Sequence, residues 1–231
     1  MTEFFHILLT KPLLNILIWF YNVIPGQDMG LAIIALTILI RLILFPSFQK
    51  SLRSQRELQK LQPKLNEIKE KYKDDKEAQT KATLNFYKEN KVNPFSSCLP
   101  LLVQLPILIA LYQVFLTGLN GEVSNKLYPF VSDPGIINTN FLGFVELGKS
   151  NFWFALAAGI FQFVQSKMIA PPKTNTSDKT SLIMNAQLTY FMPVVTVLIS
   201  MRLPAGLALY WAVTTLFAIG QQYYIMRAAK T

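Results

Sequence analysis

Five long apolar windows constrain the fold of this chain more than any other feature. A helix needs about 20 mostly apolar residues to cross the hydrocarbon core of a bilayer. The windows that approach this length are 29–48, 95–118, 152–170, 184–201 and 204–226. Because only 15% of the 231 residues are charged, too little polar sequence remains to cover five buried helices in a soluble protein. The sequence therefore predicts an all-α integral membrane protein with five transmembrane helices.

The N-terminal segment 1–28 predicts an interfacial amphipathic helix. Its apolar run 12–24 is about 13 residues long, which is short for a membrane span. The run includes Trp19, Phe20 and Tyr21, and aromatic residues of this type favour the headgroup zone of a bilayer. A cleaved signal peptide is not expected, because no basic segment precedes the run and no small-residue cleavage site follows it. An uncleaved start-transfer segment is the alternative.

The charges of the loops predict the orientation. Segment 49–94 carries twelve Lys or Arg against seven acids, whereas 119–151 carries two Lys against three acids. Cytoplasmic loops of membrane proteins are enriched in Lys and Arg. We therefore expect 49–94, the loop 171–183 and the short tail 227–231 in the cytoplasm, and the N-terminus and the loop 119–151 outside.

Segment 49–94 predicts a cytoplasmic helical hairpin. Apolar residues recur at steps of three and four from Leu58 to Tyr72, which indicates a first helix. Asp75 is placed to cap a second helix after a turn at 73–76. Pro63 either kinks the first helix or marks its start.

The basic surface of this hairpin has two compatible interpretations. It is a solvated face that sets the topology, or it is in addition a docking surface for anionic lipid, ribosomal RNA or an acidic partner. The candidate docking residues are Lys60, Lys64, Lys69, Lys71 and Lys73.

Arg41 lies inside the first apolar window, about eight residues or roughly 12 Å from its cytoplasmic end. An Arg at the centre of a spanning helix costs about 2.5–3.5 kcal/mol. Its side chain either snorkels to the inner headgroups or lies in a hydrated cavity. Thr37, four residues earlier, shares its helix face.

Amide side chains favour the cavity. Polar residues occur in the predicted inner half of all five spans, and the outer halves have almost none. Since amides in hydrocarbon are costly, they should face one another or water. We expect a wet, positively charged groove that is open to the cytoplasm and closed to the outside. Its amide residues are Gln104, Gln162, Gln165 and Gln187, with Gln221 and Gln222 near the end of the fifth span.

The residues argue against catalysis and against a metal or cofactor. The chain has one cysteine, Cys98, and one histidine, His6, which cannot form a zinc site. No nucleotide-binding or hydrolase motif is present, and His6 lies outside the spans that an intramembrane protease dyad would need. A small anion channel or carrier that uses Arg41 is the alternative function.

Four segments resemble the YidC-type membrane protein insertases, a family with mitochondrial and chloroplast relatives. They are GLAIIALTILIRLILFP at 30–46, KLQPKLNEIKEKYKDD at 60–75, KVNPFSSCLPLLVQLPILIALYQVF at 91–115 and LPAGLALYWAVTTLFAIGQQYY at 203–224. The resemblance implies a five-helix core with a hydrophilic groove, in the bacterial plasma membrane. It also implies a chaperone that inserts and helps fold integral membrane proteins without nucleotide hydrolysis.

The resemblance also implies roles for individual residues. The groove arginine of the family falls on Arg41, a nearby substrate-contacting position on Thr37, and groove glutamines on Gln104 and Gln165. Its aromatic position falls on Trp211, with Tyr210 beside it, although packing alone is the other interpretation of Trp211. A departing client helix would leave along the second and fourth spans.

Partners follow from the same resemblance. They are nascent membrane-protein clients and membrane lipids, with the Sec translocon, the ribosome and the signal recognition machinery as further candidates. The short tail 227–231 leads us to expect no strong ribosome affinity. We expect a monomer.

Overall fold

The computed structural model describes residues 2–93, 99–119, 123–170 and 186–228. Cys98, the predicted loop 171–183, the first residues of the fourth apolar window and the tail residues 229–231 lie outside the described residues. The described chain is almost entirely helical. Its α-helices are α1 (Thr2–Phe5), α2 (Lys11–Val23), α3 (Met29–Ile43), α4 (Phe45–Lys71), α5 (Lys76–Glu89), α6 (Leu99–Leu119), α7 (Phe152–Ile169), α8 (Met192–Ser200) and α9 (Ala205–Ala228).

The N-terminal helix is longer than the apolar run from which the sequence predicts a short interfacial helix. A π-helical segment, His6–Thr10, joins α1 to α2 without a break. Pro12 sits in the first turn of α2, where a proline is tolerated. The resulting helix, Glu3–Val23, has the length and composition to cross a membrane.

Fewer helices of the described chain meet the requirements for a membrane span than the five windows predict. Glu3–Val23 and Phe152–Ile169 meet them, and a third span results if the bent pair α3 and α4 is counted as one. Leu102–Gly118 and Thr189–Ser200 are shorter apolar helices. Two of the five windows, 95–118 and 184–201, begin in residues that are not described. The mostly helical, apolar architecture is thus observed, and the count of five spans stays a prediction.

A 64° bend separates α3 from α4, so the first helix ends at Ile43 and not at the predicted residue 48. Pro46, in the first turn of α4, explains the break. Proline has no N–H for the helical ladder, and its ring clashes with the carbonyl four residues earlier, here that of Leu42. After the bend, α4 runs on through Pro63.

Helices α4 and α5 pack against each other around a short turn. The Asp75 carboxylate caps α5 by accepting hydrogen bonds from the backbone N–H groups of Glu77 and Ala78, at 3.0 and 2.9 Å. This confirms the predicted cap. The Gln79 side chain donates to the Lys69 carbonyl at 2.7 Å and joins the two helices.

A small segment at the far end of the bundle, 123–151, contains a two-stranded antiparallel sheet of β1 (Asn140–Phe141) and β2 (Val145–Glu146). Asp28 holds this segment to the start of α3, because its carboxylate accepts from the backbone N–H groups of Leu31 at 2.9 Å and Leu142 at 2.6 Å. Hydrogen bonds from Thr139 and from the backbone of Gly148 lower the pKa of Glu146 below its ordinary value.

Helices α7, α8 and α9 form one side of the bundle. Gly159 of α7 permits the contact with α8, since a Cβ built there would lie 2.2 Å from Val197 Cγ2 and 3.2 Å from the Pro193 carbonyl oxygen. Any larger side chain would have to push the two helices apart.

Candidate functional site

A cavity of about 360 Å³ lies between α3, α4, α6, α7 and α9. Its wall is a mixture of amides, hydroxyls, one guanidinium and apolar groups. Its lining includes Arg41, Phe48, Leu52, Gln55, Gln104, Gln162, Gln165, Ser166, Tyr210, Trp211, Thr214, Thr215, Gln221 and Gln222.

Arg41 brings the positive charge into this cavity. Its side chain is 7% exposed, and its guanidinium carbon lies 4.6 Å from the centre of the Phe48 ring. Such a cation–π contact contributes about 0.5–2 kcal/mol. In the described part of the chain no carboxylate forms an ion pair with it. Since a buried charge without a counter-ion is costly, we expect water or a polar ligand beside Arg41 in the cavity.

Amides around the cavity lead to the same conclusion. Gln104 of α6 donates a hydrogen bond to the Tyr210 hydroxyl of α9 at 2.6 Å. Gln222 is buried, and neither its amide nitrogen nor its amide oxygen has a partner among the described residues. Buried polar groups in native proteins are nearly always hydrogen-bonded, to protein or to ordered water, and the cavity has room for several waters.

Helix α4 forms one wall of the cavity. Phe48, Leu52 and Gln55 line it, and their spacing of four and three residues puts them on one helix face. This wall is a direct consequence of the bend at Pro46, which turns the chain across the end of the bundle.

Side chains tie this wall to the ends of two other helices. Arg56 donates to the Ile225 carbonyl at 3.0 Å, and Gln59 donates to the Ile169 carbonyl. Both carbonyls belong to the last turn of a helix, where backbone acceptors have no partner within the helix. These two side chains of α4 therefore satisfy carbonyls at the ends of α7 and α9, and the same hydrogen bonds fix the position of α4.

The opposite end of the bundle is apolar and tightly packed. Side chains from α2, α3, α6 and α9 form its core, and the small pocket found there, about 20 Å³, is lined mostly by apolar groups. Deeply buried core residues include Leu14, Leu17, Ile33, Leu36, Leu111, Val114 and Leu207. The polar cavity thus lies at the α4 end, away from this apolar core.

The structure brings together eight of the ten residues that the sequence places in the groove. The residues that line the same cavity are Arg41, Gln104, Gln162, Gln165, Tyr210, Trp211, Gln221 and Gln222.

Thr37 and Gln187 lie elsewhere. Thr37 is fully buried inside the bundle, and its hydroxyl donates to the Ile33 carbonyl of its own helix at 2.6 Å. Gln187 is exposed, at the start of a π-helical segment, Gln187–Phe191, that leads into α8. The predicted docking lysines all lie on or just beyond α4, and all except the half-buried Lys69 are exposed.

Several lining residues are absent from the predicted set. Gln55 belongs to a helix that the sequence assigns wholly to the cytoplasm. Thr214 and Thr215 follow Tyr210 and Trp211 by four residues, so the helical period was the signal that would have found them. Ser166 adjoins Gln165, and no pattern in the sequence distinguishes it.

Apolar side chains cover the outer faces of α6 and α8. Leu102, Leu105 and Ile109 of α6 and Val194 and Leu198 of α8 are each 47–60% exposed. Exposed apolar surface on this scale is typical of contact with lipid or with another protein.

Comparisons with known proteins agree with this architecture. Residues 19–231 match the family model described as 60Kd inner membrane protein. The chain is 38% identical over 200 residues to a protein of Fusobacterium nucleatum named membrane protein insertase YidC, and the match covers 87% of each chain.

Longer proteins with the same name are also similar. That of Geotalea daltonii is 36% identical over 222 residues, which is 95% of this chain and 37% of the relative. That of Syntrophobacter fumaroxidans is 36% identical over 226 residues, which is 96% of this chain and 38% of the relative. The chain therefore spans a little over a third of the length of these two relatives.

Proposed function

The chain belongs to the 60Kd inner membrane protein family, and we propose that it is a membrane protein insertase that inserts integral membrane proteins and helps them fold. The observation that carries the proposal is the polar cavity around Arg41. It offers polar and charged groups at one end of an otherwise apolar bundle, where the polar flank of a client would have to leave water.

The proposed orientation follows from the loop charges. The α4–α5 pair, with its excess of Lys and Arg, lies in the cytoplasm under the positive-inside rule. The segment that contains β1 and β2 then lies outside, with the N-terminus also outside and the C-terminus inside, in a bacterial plasma membrane. The cavity therefore opens toward the cytoplasm, and the apolar core closes it on the outer side.

Insertion would proceed in three steps. A hydrophobic client segment first meets the cytoplasmic face at α4 and α5. Its short polar flank then enters the cavity, where Arg41 and the amides of Gln104, Gln162 and Gln165 replace its lost water. Finally the hydrophobic segment moves along the apolar faces of α6 and α8 into lipid, and the flank crosses the remaining outer barrier.

Two energies would drive these steps. Transfer of apolar surface out of water contributes about 25 cal/mol per Å². The membrane potential adds about 2.3 kcal/mol per charge per 100 mV and draws acidic flanks outward. The Arg41 charge would assist the entry of the same flanks. No nucleotide is needed in this scheme.

Partners beyond the clients and the lipids are part of the proposal. The exposed lysines of α4, Lys60, Lys64 and Lys71, offer a basic surface for the ribosome or the signal recognition machinery, and the protein would act alone or beside the Sec translocon. A single copy holds the whole cavity, which supports a monomer.

The test places purified protein in liposomes with a single-spanning client that has a short acidic N-terminal tail. Insertion is scored as protection of the tail from external protease. We expect protection with the native protein and a loss of at least tenfold in Arg41→Ala. The matched control is Arg202→Ala, which removes the same side chain from an exposed turn at the other end of the bundle and should insert normally.

Anion efflux, recorded on the same liposomes, distinguishes the alternative function. An anion channel or carrier that uses Arg41 would give efflux without tail protection, and that result would refute the insertase. Arg41→Lys separates the chemistry further. A groove that needs only charge and water tolerates lysine, whereas bidentate anion binding does not.

A further inference from the structure

A second polar recess lies against a different face of α4 from the cavity. It has a volume of about 330 Å³ and lies between α4 and the last turns of α9. Its principal lining residues are Arg53, Arg56, Glu57, Lys60, Tyr224 and Ile225. We call it the basic cleft. None of the residues predicted for the groove lines it.

The basic cleft has an excess of positive charge that its own residues do not neutralise. Its lining includes three cations and one acid, Glu57. In the described part of the chain neither Arg53 nor Lys60 forms an ion pair. Positions 53, 56, 57 and 60 follow a helical period, so the charges share one face of α4.

One of these cations is already fixed in place. Arg56 is half-buried and donates from Nη1 to the Ile225 carbonyl at 3.0 Å. A guanidinium has five N–H donors, so this bond leaves others free for a ligand. Arg56 therefore forms the preorganised base of the cleft, and Arg53 and Lys60 form its exposed rim.

The position of the cleft indicates the chemistry of its ligand. It lies where α9 ends, beside Tyr223 and Tyr224, which are 62% and 63% exposed. The sequence predicts that α9 is a membrane helix, and exposed tyrosines at the end of such a helix are typical of the headgroup level of a bilayer. A cluster of Arg and Lys at that level faces the phosphates of the inner leaflet.

We propose that the basic cleft binds the phosphodiester headgroup of an anionic phospholipid of the phosphatidylglycerol class. Arg56 and Arg53 hold the phosphate oxygens, Lys60 adds a third positive charge, and the Tyr224 ring packs against the glycerol. The bound lipid anchors the base of α4 to the leaflet. The inference goes beyond the insertase function and does not depend on it.

The test measures lipid affinity of the full-length, delipidated protein by native mass spectrometry in detergent. The probes are phosphatidylglycerol and phosphatidylcholine of the same acyl chains. The cleft variant is Arg53→Gln with Lys60→Gln. The matched control is Lys64→Gln with Lys71→Gln, which removes the same charge from exposed positions of α4 outside the cleft.

We expect the native protein to bind phosphatidylglycerol at least tenfold more tightly than phosphatidylcholine. The cleft variant should lose about 30-fold in phosphatidylglycerol affinity, because each Lys or Arg near an anionic surface contributes roughly a fivefold factor. The control should lose less than about threefold on the same scale, since its charges lie outside the proposed site.

Three results would overturn the proposal. Equal affinity for the two lipids excludes a headgroup site. Equal losses in the cleft variant and the control indicate general surface charge instead of a site. The third result is that the cleft variant binds a 20-nucleotide RNA more weakly than the native protein does, but binds phosphatidylglycerol equally well. The cleft would then bind nucleic acid phosphates and not lipid.

Discussion

Replacement of Tyr210 by phenylalanine tests whether the cavity holds water. The substitution removes the Tyr210 hydroxyl, which accepts a hydrogen bond from Gln104 at 2.6 Å. The aromatic ring of this residue, which is 2% exposed, is kept. The packing of α9 is therefore unchanged, and the effect on stability comes from the fate of the Gln104 amide.

The magnitude depends on what replaces the hydroxyl. In a dry cavity the Gln104 amide loses its partner, and an unsatisfied buried donor costs about 1–3 kcal/mol. In a wet cavity a water accepts the bond instead, since water-mediated hydrogen bonds are nearly as favourable as direct ones. If the cavity around Arg41 is hydrated as we expect, the loss is less than about 1 kcal/mol.

The assay is reversible unfolding in mixed micelles, with Tyr21→Phe as the matched control. Tyr21 is 1% exposed in the apolar core, and its hydroxyl accepts from the backbone N–H of Asn138 at 2.8 Å. Loss of that bond at the dry end should cost about 1–3 kcal/mol. A loss of 2 kcal/mol or more in Tyr210→Phe, abolished when Gln104→Leu is added, would refute a hydrated cavity.

Three further predictions concern packing, tethering and pH. Gly159→Ala should lower the free energy of unfolding by about 1–3 kcal/mol through overpacking of α7 against α8. Gly220→Ala, whose added Cβ meets no neighbouring atom, should raise it by up to about 1 kcal/mol. Thermal unfolding in detergent compares the two variants. Gln59→Leu removes the hydrogen bond to α7, so amide exchange in α4 should accelerate about tenfold, as expected for the loss of roughly 1.4 kcal/mol; unchanged exchange would argue against the tether. Hydrogen bonds lower the pKa of Glu146, so its stabilising effect is present above the ordinary carboxyl pKa and is lost as pH falls toward the lowered one. An acid titration of stability should show this loss, below about 1 kcal/mol for a half-buried carboxylate near the surface, and Glu146→Gln should abolish it.

The sequence predicts the helical architecture because apolar length and turn residues are local signals. The window 152–170 corresponds to α7, Phe152–Ile169, and 204–226 to α9, Ala205–Ala228. Asn151 caps α7 with hydrogen bonds to the backbone of Trp153 and Phe154, and a capping side chain of this kind marks a helix start. Such boundaries need no knowledge of the tertiary fold.

The bend within the first window is not predicted, although a local signal for it is present in the sequence. Hydropathy extends the window to residue 48, but Pro46 stops the α3 ladder and turns the chain by 64°. The wall that α4 gives to the cavity, with Gln55, depends on the direction of this turn. The contacts of α4 with α7 and α9 set this direction. The periodicity of the sequence carries no information about these contacts.

The sequence predicts groove residues from the position of each polar residue along its predicted span. Arg41, Gln104 and Gln165, which the sequence places in the inner halves of their spans, line one cavity. Thr37 has the right depth but points into the packed core, where its hydroxyl bonds to its own helix. A polar residue in a membrane helix can satisfy itself locally, and the sequence does not distinguish that outcome from a place in the cavity.

The most direct test of the account follows the client flank itself. A photo-crosslinking amino acid is placed at Gln165, which lines the cavity, or at Ile160 on the same helix, which is 51% exposed and outside it. Insertion of the acidic-tailed client is then stopped by light at early times. A route through the cavity predicts crosslinks from position 165 to the polar flank, and none to the flank from position 160. Flank crosslinks from position 160 alone, with insertion at full yield, would contradict a route through the cavity.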